Sequence, residues 1–295
     1  METRADEARE AADMQVDVKP DRTSVPGPQP WTRRWWFRLA LVAAAFSIPP
    51  LVGSALDPTE IPRVVAEVLK DPIIVQVPML LPLAKLLLLA VMLVALWSRT
   101  ASARIVLGGY AAALVIVGVL QNMGNTPTYG FVWLAGNTAM MLVVATRCVW
   151  DLARGQTAAG PSQLRPGRLW VLAPMLLAFG MPYAVEAGGA IVPAFGQQVI
   201  TNEAAVTYCM ITPVVIGALL LYARPVFAPT LSLICFVGLY FGILNLIIWW
   251  GLQPRNWWMG VLHLPLVVLA VTGLIVSREA AGRPQGPADL RPSGR

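Results

Sequence analysis

The chain has 295 residues, 57% hydrophobic and 13% charged, with a mean hydropathy of +0.63 and a net charge of +6. Soluble domains carry roughly 25% charged residues and 45–50% apolar ones, so this composition excludes a soluble domain and marks an integral membrane protein. The basic residues lie scattered at the ends of apolar segments, which excludes a nucleic-acid partner; three cysteines without CxxC spacing exclude a disulfide framework, and a single histidine excludes a metal site needing two.

Residues 1–30 hold seven of the sixteen acidic residues together with Pro20, Pro26, Pro28 and Pro30, a composition expected to form a disordered cytoplasmic tail. Arg33, Arg34 and Arg38 then flank the first apolar run. A twin-arginine export signal would need a small-residue cleavage site. The Pro49-Pro50 pair interrupts the run instead, so these arginines read as the cytoplasmic anchor of an uncleaved helix.

A membrane-crossing helix needs about 20 mainly apolar residues. Eight segments are expected to qualify, at 35–55, 74–97, 103–121, 130–150, 169–191, 205–223, 229–250 and 257–277. Their connections alternate in charge. Arg99, Arg104, Arg154, Arg165, Arg168, Arg224 and Arg278 fall on the side of the first arginine cluster, whereas the opposite connections hold only Arg63, Lys70 and Arg255. The positive-inside rule then puts both termini in the cytoplasm and, in a bacterium, the protein in the cytoplasmic (inner) membrane, in contact with the lipid bilayer.

The first outer connection starts with Asp57 as a cap and Pro58 in a first turn, and its Ile61, Val64, Val65, Val68 and Leu69 share one face. That predicts a short amphipathic helix lying on the outer surface.

The sequence echoes itself. Ala45-Phe46-Ser47-Ile48-Pro49 matches Ala178-Phe179-Gly180-Met181-Pro182; Pro82 aligns with Pro213, Tyr110 with Tyr240, and Trp133-x-x-Gly136 with Trp257-x-x-Gly260. The expected fold is therefore all-α: a polytopic helix bundle of about eight transmembrane helices in two parallel four-helix repeats. The first unit spans 31–152 and the second 169–278, with a cytoplasmic linker at 153–168 and a disordered tail at 279–295.

Lys85 stands about ten residues from each end of its segment, so near the bilayer midplane, where a charge is costly and marks either an ion, proton or substrate path or a structural pairing. Glu186 falls toward the outer quarter of the fifth segment, where it reads as an interfacial carboxylate touching water or, where it reaches inward, as the counter-charge of Lys85. Glu203 reads as a first-turn carboxylate at the start of the sixth segment. Asn137, Tyr208, Asn245 and His263 share the outer half with Gln121, Asn122, Asn125 and Thr207, as the lining of a pocket open to the outside or as interhelical hydrogen-bonding groups. Arg147 and Asp151, one turn apart, read as a local ion pair. His263 with Met259, Met210 and Cys209 would suit copper or haem only if they converged.

No phosphate-binding loop, nucleophile elbow or zinc motif is present in the sequence. No metal or cofactor is assigned, and the balance is against an enzyme. Three readings follow. The first is a transporter with an outward-facing polar cavity, in which Lys85 lines a path continuous with Glu186. The second is a non-catalytic membrane subunit working with a protein partner or a second copy, its polar residues consumed internally. The third is a membrane enzyme acting on a lipid or isoprenoid, with Glu186 or Glu203 as acid/base and Tyr208 or His263 assisting.

Overall fold

A computed structural model describes residue 32 and residues 34–53, 56–98, 101–157, 165–196, 198–221 and 227–282. The expected tail at 1–30 lies outside these residues, as do 158–164 of the linker and the chain beyond 282. The protein is mostly helical. Its elements are α1 (Trp35–Ser47), β1 (Leu51–Val52), α2 (Ile61–Lys70), α3 (Leu80–Trp97), α4 (Ser102–Leu120), β2 (Met123–Thr126), β3 (Gly130–Trp133) and α5 (Ala135–Arg154), then α6 (Leu172–Gly180), β4 (Tyr183–Val185), β5 (Ile191–Pro193), α7 (Gln198–Thr201), α8 (Tyr208–Leu221), α9 (Ala228–Leu246) and α10 (Trp257–Gly282). A 3-10 stretch, Pro166–Val171, leads into α6, another, Glu203–Val206, lies between α7 and α8, and a π-helical stretch, Ile247–Leu252, extends α9.

Four helical stretches are long and apolar enough to cross a membrane: Leu80–Trp97, Ser102–Leu120, Ala228–Leu252 and Pro254–Ala280. A fifth is added if Val199–Val206 and Tyr208–Leu221, bent by 86° at their junction, count as one broken span. The other expected segments are shorter or less apolar. α1 ends at Ser47, where Pro49-Pro50 removes two helix donors in succession. α5 is 20 residues long but carries Asn137, Arg147, Asp151 and Arg154.

The fifth expected segment, 169–191, departs most from the sequence reading. Its helix stops at Gly180, because Pro182 cannot donate to the next turn and Met181 takes the left-handed conformation (φ 45°) that ends the helix. The remainder is a β4–β5 hairpin, with Tyr183 opposite Pro193 and Val185 opposite Ile191.

The bundle is built round α8. Every side chain of α8 is buried, and α4, α6, α9 and α10 pack on it. Tyr110 of α4 meets it through a 3.0 Å hydrogen bond between its hydroxyl and that of Thr212. α5 packs on α4 and α9, and α1 lies on α5. There the backbones nearly touch: a Cβ at Gly136 would fall 2.7 Å from the Ala45 carbonyl oxygen, so this crossing requires glycine.

β1, β3 and β2 form a three-stranded antiparallel sheet in that order, and α2 seats on it. Asp57 accepts from the Thr59 amide and hydroxyl at 2.8 Å each, bonds that hold its carboxyl below the usual range and start the turn before α2. Val64 and Val68 bury against Val132 and Leu134, and Tyr129 donates to Glu60 at 2.9 Å. The amphipathic helix is present where the sequence predicts it, and Val64 and Val68 of its apolar face are covered by the chain's own sheet, while Leu69 stays exposed.

Candidate functional site

The site assembles where α3 meets the broken segment Val199–Val206. Lys85 is the sixth residue of α3, which places it only about 7.5 Å along the helix at 1.5 Å per residue. The expected segment began at residue 74, but a 3-10 turn at Ile73–Val75 and the Pro78 turn occupy its start. Lys85 therefore sits toward one end of the span, away from its middle.

Lys85 is 4% exposed. Its Nζ donates to the Val199 carbonyl oxygen in α7, and the ammonium stands 5.7 Å from the centroid of the Phe179 ring. α7 is one turn long, so its carbonyls have no continuing helix to accept from, and the lysine supplies a donor. The Glu203 carboxylate faces Lys85 electrostatically from beyond the 4 Å of a contact ion pair. Glu203 accepts a 2.6 Å bond from the Tyr183 hydroxyl. Burial, and then the neighbouring Glu203, push the Tyr183 phenol well above its ordinary value.

Asn202 fixes the middle of the segment. Its amide donates to the Gly180 and Met181 carbonyls at 2.8 and 2.9 Å, the acceptors left open where α6 ends, and its oxygen accepts from the Ala204 amide at 3.3 Å. At the far end the first amide of α8, that of Tyr208, donates 2.9 Å to Gln121 at the end of α4. Beside Val199 lies a cavity of about 310 Å³, lined by Leu176, Leu177, Gly180, Pro182, Phe195 and Val199. Leu176 and Phe195 are exposed, so it is a groove open at the surface.

Of the residues singled out in the sequence, the structure brings Lys85 and Glu203 together. Glu186 does not join them. It is exposed in the turn of the β4–β5 hairpin, where its carbonyl accepts from the Gly189 amide at 2.8 Å. Tyr208 and Asn245 form a second neighbourhood: the Tyr208 ring packs on Phe241 at 5.0 Å, and Asn245 donates to the Phe241 carbonyl at 2.9 Å and contacts Cys209 Sγ at 3.5 Å. His263 is buried with Nδ1 donating to the Met259 carbonyl at 2.7 Å. Asn137 is half-buried in the first turn of α5.

Arg147 and Asp151 do not pair as expected. Asp151 gives both oxygens to Thr157, whereas Arg147 donates to Thr230 and Gln156.

Comparison with protein families, curated proteins and solved structures finds no match. The chemistry must therefore be read from the residues themselves. Among the described residues no three His, Cys, Asp or Glu side chains group as metal ligands, and Cys148, Cys209 and Cys235 are buried free thiols. The arrangement offers one buried ammonium, one carboxylate and one phenol at a backbone break, next to an apolar groove.

Tyr183, Phe179 and Asn202 are not singled out for this site by the sequence reading. Their signal was faint: an aromatic on each side of the Gly180-Met181-Pro182 break, and Asn202 preceding a first-turn carboxylate.

Proposed function

We propose that the chain is a permease-like multi-pass membrane protein in a closed conformation, with its path at the broken segment Val199–Val206. The observation that carries this reading is the buried Lys85 ammonium held against that segment, with Glu203 facing it. Ionisable groups within spans are costly and are associated with ion or substrate routes, and transporter sites are often formed where a span is discontinuous. The 86° bend is such a discontinuity.

In this reading the chain makes eight transits, by α1, α3, α4, α5, α6, the α7–α8 pair, α9 and α10. The order supports two parallel units, α1–α5 and α6–α10: α1 packs on α5 as α6 packs on α10, and α3–α4–α5 follow one another as α8–α9–α10 do. Arg34, Arg38, Arg104, Arg154, Arg165, Arg168 and Arg278 then gather on the cytoplasmic side, with both termini. The counter-charge of Lys85 is Glu203 in place of Glu186.

A non-catalytic membrane subunit is the second reading. It is favoured by the internal bonds of Gln121, Asn122, Asn202 and Asn245, which spend polar groups that a wet cavity would leave free. An enzyme has less support, because Glu203 is bonded to Tyr183 and His263 to a backbone carbonyl.

Single cysteines at 85 and 203, in a background lacking Cys148, Cys209 and Cys235, separate the first two readings. A permease exposes both to a charged, membrane-impermeant maleimide from the outer side. Complete resistance of both in a folded protein would transfer the conclusion to the subunit.

A further inference from the structure

We propose that Val199–Thr201, the loose half of the broken segment, is a hinged lid and that Lys85 is its latch. The inference deepens the permease reading and rests on it for its purpose; the motion itself is tested separately.

The segment is anchored unevenly. Ala204, Ala205 and Val206 are buried against the body, and Thr207 starts α8 by accepting from the Met210 and Ile211 amides. The other half sits differently: Ile200 and Thr201 are exposed and Val199 is half-buried. That half is held by polar bonds directed at single atoms, from Lys85 to the Val199 carbonyl and from Asn202 to the Gly180 and Met181 carbonyls. The hinge falls between the two halves at Asn202, whose backbone is extended (φ −75°, ψ 170°) between α7 and the 3-10 turn.

What lies beneath the loose half makes its motion consequential. Val199 forms a wall of the apolar groove, and a Cβ at Gly180 would touch its Cγ1 at 3.5 Å. Lys85, from α3, bonds the backbone oxygen of the same residue. Lifting Val199 removes one wall of the groove and withdraws the carbonyl from the ammonium. The lid is closed when the lysine is occupied by Val199 and open when it is free to meet something else. The bonded atom is a backbone oxygen, so changing the Val199 side chain leaves the latch intact.

The experiment uses the full chain with Val199→Cys as the sole cysteine and follows its reaction with N-ethylmaleimide. A hydrogen bond to a charged group is worth about 1.5 kcal/mol or more, so Lys85→Met should speed labelling about tenfold or more. Lys85→Arg, which keeps a cationic donor, should stay near the parent rate. Equal rates in the parent and Lys85→Met, both folded, would overturn the latch, and so would equal acceleration by Arg and Met. If Lys85→Met fails to fold, hydrogen exchange on the unmodified protein decides. Amides of Val199–Thr201 should exchange about 100-fold faster than those of α8, as a local opening requires, and equal protection would overturn the lid. Fast labelling at 199 with no access of a charged reagent to residue 203 would leave the lid standing and remove the permease.

Discussion

Replacing Asn202 by alanine is expected to loosen the junction between α6 and the broken segment while leaving both helices intact. The side chain is buried and makes three bonds, two as donor to the carbonyls ending α6 and one as acceptor from the Ala204 amide. Each buried hydrogen bond contributes about 1 kcal/mol net, and loss of a capping side chain costs about as much, so the total is about 3 kcal/mol. At about 2–4 °C per kcal/mol for a chain of this size, that lowers the Tm of the detergent-solubilised protein by about 6–12 °C. The assay is a tryptophan-fluorescence melt of monodisperse protein. Asn202→Asp separates the two contributions. Aspartate still accepts from Ala204, but it has no donor for Gly180 and Met181 and sets a negative charge beside their oxygens. It should be at least as unstable as the alanine variant. A parent-like Tm for Asn202→Asp would show that only the cap matters, and a fall below about 2 °C for Asn202→Ala would refute the accounting altogether.

Gly136→Ala should force α1 away from α5, since its new methyl would overlap the Ala45 carbonyl oxygen; a cost of about 1–3 kcal/mol is expected, read as a lower Tm and as faster proteolysis near residue 48. Tyr183 gives an alkaline signature. Its folded pKa is raised, so the stability it adds is fully present below the unfolded value of about 10 and is lost as pH rises through the higher folded value. Ultraviolet titration should therefore count one fewer late-ionising tyrosine in Tyr183→Phe than in the parent, and Glu203→Gln should shift one of them earlier. Val68→Asp should unseat α2 from the β1–β3–β2 sheet, exposing the 61–70 segment to protease while the bundle stays folded, because Val68 belongs to the small core between α2 and that sheet.

The helices were legible where hydrophobicity alone decides them. α4 and α10 begin within a residue of their expected positions, and α9 does too, because a long run apolar on every face can bury itself only as a helix. The fifth segment departs from its expected helix for the same reason. Tyr183–Val185 and Ile191 are as apolar as a helix continuation, so hydrophobicity alone carries the expected segment on to residue 191. Their own signals were local: Pro182 stops the helix, and Gly188-Gly189 between two short β-forming stretches marks a hairpin turn. Those local signals place Glu186 in the turn and on the surface.

The pairing of Lys85 was less accessible. The sequence shows that a lysine in LLPLAKLLLL needs a partner, but the acceptor is a backbone carbonyl 114 residues away, and carbonyls carry no sequence signature. What makes the Val199 carbonyl available is the brevity of α7, itself a consequence of the Thr201-Asn202 break and the bonds Asn202 makes with the end of α6. The lysine, the broken segment and the stop at Gly180 are thus one structural unit. Pro182 ends α6 and frees the Gly180 and Met181 carbonyls, Asn202 takes them, the chain turns, and the carbonyl exposed by that turn receives Lys85. Perturbing Pro182 should therefore reach Lys85 through Asn202. A coupling between Asn202→Ala and Lys85→Met in a double-mutant cycle, of about 0.5 kcal/mol or more, is the quantity that separates one unit from two independent contacts.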